Sequence, residues 1–207
     1  MKTQNENLLR EYLNAGLIQF GYFTTSFGAP AGPIKFAFSL LPSFPALMHA
    51  TAQALRPLVS TTAPAARLLA TYDTIPLGAV LAVETGIPLL YPRHNAPQLA
   101  PAFAIEGAAD VGNPVTLLTD VLLDAVPIIE IARRSQRVGL PVKRLRAIVA
   151  TERLDQSALA EHTDIADIRA LITLEEMASF WQTNDLISKR LSHAIQDWQS
   201  ENTPFIP

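Results

Sequence analysis

Three aspartates and one arginine-histidine pair stand where side chains of those types could do chemistry. Asp120 follows the apolar run VTLLT at 115 to 119, Asp124 lies four residues on, and the helical pattern AVPIIEIARR opens directly after it. A carboxylate at the end of a buried strand, beside the start of a helix, could hold sugar hydroxyls or a metal ion. Asp73 occupies a second loop, TYDT at 71 to 74. Paired with Asp124, it would supply two carboxylates for hydrolysis or metal binding if both loops met at one edge. The plainer reading, two solvated loop acids, is several times more frequent. Arg93 and His94 together could contact a phosphate and move a proton, and the ordinary alternatives are a surface ion pair and a solvent-exposed loop histidine.

These residues need elements to position them, and the patterning provides alternating strands and helices. Leu8, Leu9, Tyr12 and Leu13 predict a helix closed by Gly16. The stretch from Phe20 to Pro45, rich in Gly, Pro, Phe and Ser, predicts a loop and hairpin with a strand at 34 to 40. Beyond it the periods predict a helix at 44 to 59, a strand at 66 to 72, a helix at 75 to 86 ended by Gly86, and a strand at 87 to 92. A long irregular loop covers 93 to 107, and VGNP at 111 to 114 is a turn. A strand at 115 to 121, a helix at 126 to 138, a strand at 142 to 150, a helix at 156 to 162, a strand near 168 to 172 and one final helix from 174 to about 199 complete the chain. Such alternation implies an α/β fold, a mainly parallel central sheet flanked by helices.

Composition narrows the classes of function. The chain has 207 residues, 49% of them hydrophobic, a net charge of −3 and no cysteine. That excludes disulfides and a cysteine nucleophile, gives no global attraction to nucleic acid, and suits one domain over 1–207. No run approaches the length of a spanning helix, so neither membrane nor nucleic acid is expected as a partner and the cytoplasm is the expected location. Between positions 36 and 132 there are three basic residues, Arg56, Arg67 and Arg93, against seven acidic ones. A polyphosphate substrate needs the opposite balance or a metal. Six Lys/Arg lie between 133 and 146. They read as a solvated helix face plus a subunit-contact strand rather than a polyanion site, since no aromatics interleave them.

Several short strings, in order, resemble the type I phosphoribosyltransferases and among them the orotate phosphoribosyltransferase family. GYFTTSFGAPAGPIKF at 21 to 36, TYDTIPLGAVLA at 71 to 82, IPLLYPRHNAP at 87 to 97, IEG at 105 to 107 and ITLEEM at 172 to 177 carry the likeness across nearly the whole chain. The resemblance implies a small N-terminal hood-like segment over 1–45 on an α/β core at 46–207. It implies a homodimer and transfer of phosphoribosyl from 5-phosphoribosyl 1-pyrophosphate to orotate with Mg²⁺, a step of pyrimidine nucleotide biosynthesis. It places Asp73 and Thr74 in a pyrophosphate loop, Arg93 and His94 at the head of the catalytic loop, and Thr119 and Asp120 where the family holds ribose hydroxyls with two adjacent acids. Asp120 is also the candidate metal contact.

This sequence departs from the family's pattern in each phosphate-binding loop, although it keeps Arg93. The hydroxyl-glycine loop that wraps the 5-phosphate falls on Leu123, Asp124 and Ala125, followed by Val126 and Pro127. Pro97 stands where a catalytic-loop lysine is expected, and Thr151, two residues before Arg153, takes the place of an arginine that contacts the base. Proline has no N–H, alanine resists positive φ, and an aspartate repels an anion by roughly 4 kcal/mol at about 4 Å near a protein surface. The expectation is therefore an orotate phosphoribosyltransferase-like protein with lost or altered transferase activity and a binding or regulatory role, possible partner to an active paralogue. The alternative is an active phosphoribosyltransferase acting on orotate or a related base.

Overall fold

Alternate residues along each central strand bury against opposite faces of one sheet, and that alternation organises the molecule. The computed structural model describes residues 3–24, 30–60, 66–93, 105–108 and 110–200. Its strands are β1 (Ile18–Thr24), β2 (Pro30–Phe36), β3 (Arg67–Ala70), β4 (Leu89–Pro92), β5 (Ile105–Glu106), β6 (Val115–Leu122), β7 (Val142–Ala150) and β8 (Asp167–Thr173). Its helices are α1 (Thr3–Asn14), α2 (Pro45–Val59), α3 (Ile75–Thr85), α4 (Ala125–Arg137), α5 (Gln156–His162), α6 (Leu174–Thr183) and α7 (Lys189–Ser200). Six strands form the sheet in the order β5-β4-β3-β6-β7-β8, parallel except for the antiparallel β4–β5 pair, and β1 with β2 makes a separate hairpin.

Leu68, Leu118, Ile148 and Ile172 face a core shared with α1, the hairpin, α2, α3, α6 and α7. Their neighbours Leu69, Leu117, Leu145 and Ala147 face α4 and α5. Helices on both faces leave the strands nearly all apolar, as a buried parallel sheet requires. Among the described residues no helix is long and apolar enough to cross a membrane.

Three element assignments and one charge cluster differ from the sequence expectation. The strand expected at 34 to 40 runs over Pro30–Phe36, and Phe38–Ser43 is a 3-10 helix containing Pro42. Ala37 donates its N–H to Leu17 O at 2.7 Å, after which the chain turns away from the hairpin. The irregular loop at 93 to 107 ends in a short strand, Ile105–Glu106, paired with Tyr91 and Pro92.

The single final helix is two. α6 stops at Thr183, and Asp185 takes φ +55, a conformation usually left to glycine. Leu186 N–H then returns to Trp181 O at 2.8 Å.

The fourth difference concerns the basic cluster. Arg146 is 3% exposed. It donates to Leu58 O at 2.7 Å, Leu145 O at 3.0 Å and Asp167 O at 2.9 Å, and pairs with the Asp167 carboxylate at 2.6 Å. It is a buried tie between α2, β7 and β8, not part of a solvated or subunit-facing surface.

Candidate functional site

At the carboxyl ends of β3 and β6 the sheet opens into a cleft of about 430 Å³. That is the place where open α/β sheets bind ligands, because loops leave the strands in diverging directions there. The floor comes from the sheet edge: Thr71, Tyr72 and Asp73 after β3, then Thr119, Asp120 and Val121 near the end of β6. One wall is the first turns of α4, with Leu123, Asp124, Pro127, Ile128 and Ile131, and the other is the hairpin, with Phe23, Ile34, Lys35 and Phe36.

Asp73, Asp120 and Asp124 therefore share one cleft, as expected if the two loops met at one edge. Asp124 is the N-cap of α4: its carboxylate accepts the Val126 N–H at 2.9 Å. An aspartate at that position supplies the negative charge that a helix N-terminus attracts. Of the first four amides of α4, Val126's is thus taken by the protein's own carboxylate and Pro127 has none to give.

Asp120 lies one pleat deeper. Burial holds its carboxyl above the ordinary aspartate value, with the nearby Asp73 charge adding to the effect and the Val121 N–H, donating at 2.8 Å, opposing it. Thr119 beside it is buried, its hydroxyl 3.4 Å from Asp120 Oδ1, a long contact.

Thr74 is not turned into this cleft. Its hydroxyl donates to Leu118 O at 2.9 Å and lies 2.9 Å from the Thr71 hydroxyl, so it fastens the turn at 71–74 to β6. Arg93 stands outside the lining as well. Its Nε meets Glu106 at 2.6 Å, which is the ion pair that competed with a phosphate role, and its carbonyl accepts the Tyr72 hydroxyl at 3.1 Å. The same hydroxyl accepts from Arg134, which also pairs with Glu130. His94 and Pro97 lie outside the described residues.

The expected base-contact position is also occupied by structure. Thr151 is buried and donates to Leu122 O at 2.7 Å, while Arg153 stacks on Trp198 with 4.8 Å to the ring centroid. Lys35, Phe23 and Tyr72 line the cleft without having been singled out. Lys35 Nζ sits 6.0 Å from the Phe23 centroid. It is the one cation among the described lining residues, against three carboxylates. The alternation of PIKF was the only available signal for it, and alternation reports which face a residue takes rather than what that face meets.

The donors do not make a Mg²⁺ cage. Among the described residues no three His, Asp or Glu side chains come close enough to share one ion. Mg²⁺ commonly takes one or two carboxylates and relies on substrate phosphates for the rest. Here the acids beside Asp120 would oppose those phosphates.

Comparison with known proteins agrees with the fold and with the expected resemblance. No protein-family model matches the chain. It is 25% identical over 175 residues to an orotate phosphoribosyltransferase of Halobacterium salinarum, covering 84% of this chain and 97% of that one. It is 27% identical over 175 residues to one of Natronomonas pharaonis, covering 84% and 96%. A UMP synthase of Leishmania donovani superposes with TM-score 0.81 at 21% identity over 94% of this chain, which spans only 42% of that larger chain. An orotate phosphoribosyltransferase of Francisella tularensis superposes with TM-score 0.72 at 16% identity over 96% of each.

Proposed function

We propose that this type I phosphoribosyltransferase fold, similar in sequence to orotate phosphoribosyltransferases, carries lost or altered transferase activity and uses its cleft for binding or regulation. The observation that carries the reading is Asp124 capping α4. The family's 5-phosphate would meet a carboxylate there, at a repulsion of roughly 4 kcal/mol at about 4 Å. Asp73 and Asp120 extend the negative lining, and among the described lining residues Lys35 is the one cation that offsets it. In this reading Asp73, Thr119, Asp120 and Asp124 contact the cleft's ligand, Thr74 shapes the floor from beneath, and Arg93 serves the rim. The protein works as one domain and as a homodimer, or beside an active paralogue.

A second reading has its own support. Sequence likeness to two orotate phosphoribosyltransferases runs over most of the chain, and one related structure contains 5-phospho-α-D-ribosyl 1-diphosphate. In that case the chain transfers phosphoribosyl to orotate or a related base with Mg²⁺ brought in by the substrate. Titration calorimetry with 5-phosphoribosyl 1-pyrophosphate and Mg²⁺, followed by an orotate-consumption assay, separates the two. The first reading expects no binding in the micromolar range and no turnover. Micromolar binding with orotate consumption would overturn it.

A further inference from the structure

Among the described residues the hairpin that walls the cleft has no strand partner in the main sheet, and β1 and β2 pair with each other. It supplies Phe23, Ile34, Lys35 and Phe36 to the lining. A two-stranded hairpin is marginal by itself, so its position depends on what packs against it. Part of that support comes from α1 and the core beneath it, and Phe20 meets Trp181 of α6 edge-on, with centroids 5.3 Å apart. The rest comes from α7. Gly32 of β2, at φ +114, lies against the Trp198 indole, and a Cβ at that position would collide with the ring. On the other side Arg153, in the turn after β7, stacks on the same indole and donates to the Trp198 carbonyl. Trp198 is thus wedged between the hairpin and the turn that follows the sheet.

α7 docks through Ile195, which is buried, and through Leu191 and Trp198, which are half-buried against the same core, with the polar Ser192 and Gln199 buried beside them. Among the described residues Ser192 Oγ and Gln199 Oε1 are buried without a hydrogen-bond partner, and a buried polar atom left so carries a desolvation cost. The helix is joined to α6 by the break at 184–188, where Asp185 at φ +55 turns the chain. A short link with one special backbone conformation suits a hinge.

We infer that α7 is a releasable strap: Trp198 pins the hairpin wall over the cleft, and undocking of α7 about the 184–188 link frees that wall and opens the site. The inference does not depend on what the cleft binds. A docking face with one fully buried apolar side chain and two polar atoms left unsatisfied is of the kind from which sub-global openings arise.

Native-state amide hydrogen exchange tests it without a ligand. In the unaltered protein the amides of α7 and those of residues 18–23 and 34–36 should exchange through one shared opening, faster than β6 and β7. Trp198→Ala should speed hairpin exchange at least tenfold with the β6 and β7 rates within twofold, and Trp198→Phe should recover most of that protection. Hairpin exchange that is independent of α7, or that occurs only together with β6 and β7, would overturn the strap. The measurement on the unaltered protein decides this even if Trp198→Ala does not fold. Because no substrate enters it, its outcome is separate from that of the phosphoribosyl pyrophosphate titration.

Discussion

Two groups of charges sit on the same sheet and are treated in opposite ways. Near β7 and β8, Arg146 is almost fully buried and makes four hydrogen bonds, three to carbonyls and one to the Asp167 carboxylate. At the carboxyl edge, Asp73, Asp120 and Asp124 crowd one cleft, and among the described lining residues Lys35 is the only cation. Charges that hold a fold together are paired, because burying an unpaired charge costs several kcal/mol. Charges left in mutual repulsion at a cleft are kept for some other reason, and a raised carboxyl such as that of Asp120 is of the kind that gathers at functional sites. The difference favours the cleft, rather than the basic cluster at 133 to 146, as the proposed ligand site.

The contrast breaks most visibly at its paired end. Arg146→Ala removes three buried hydrogen bonds to carbonyls and the partner of Asp167, and is expected to cost about 3 kcal/mol in urea denaturation. Its acid limb should change as well. Arg146 is the leading cause of the depressed Asp167 carboxyl, followed in the same direction by Arg169. A lowered folded-state value gives stability that is present above the ordinary 3.8 and lost as pH falls through the lowered value. In the variant most of that contribution is already absent, so the loss on acidification should be smaller. A variant as stable as the parent would show that Arg146 is not the tie described here.

A smaller effect belongs to the cleft. Asp124→Ala should lose about 1 kcal/mol, the usual value of an N-cap, whereas Asp124→Ser keeps a capping oxygen and should stay within about 0.5 kcal/mol. The pair also sharpens the functional claim. Asp124→Ser removes an anion from the cleft without melting α4, so inorganic phosphate should bind it more tightly than the parent. Phosphate affinity unchanged by calorimetry would mean that Asp124 does not govern what enters the site.

How much of this was legible in the sequence follows the same division. The segment from Val115 to Arg137 was readable because an apolar run and a 3.6-residue period are local, and its strand and helix ends fall within one residue of expectation. Gly86 closing α3 was readable for the same reason, since its φ of +70 needs glycine. The break between α6 and α7 was not, because Leu186 and Ile187 continue the apolar period and an aspartate takes the left-handed turn without a glycine to announce it. Arg146 was equally hidden. In sequence it belongs to a run of cations, and only the carbonyls of Leu58 and Asp167, 88 and 21 residues away, bury it. The cleft acids were identified as types, but which atom each would engage depended on long-range placement. Asp124 lines the cleft and also accepts the Val126 amide of its own helix, a cap that the sequence reading had not assigned to it.

The smallest effect expected is also the one that sets the two charge groups most directly against each other. Asp120 and Asp167 depart from the ordinary aspartate value in opposite directions, so their linkage to pH has opposite sign. Asp167 favours the folded state once ionised. Asp120, raised first by burial and then by Asp73, holds a proton in the folded protein to higher pH than in the unfolded chain. Between 3.8 and that raised value the folded state binds more protons, and stability therefore falls as pH rises. Asp120→Asn keeps an oxygen to accept the Val121 N–H and removes the charge. It should raise the denaturation midpoint at neutral pH, leave the midpoint near pH 3 unchanged, and flatten the slope between them. If the midpoint instead falls at neutral pH, the Asp120 carboxylate is paired with a cation in solution, and the contrast between a satisfied sheet interior and a frustrated cleft fails at its deepest residue.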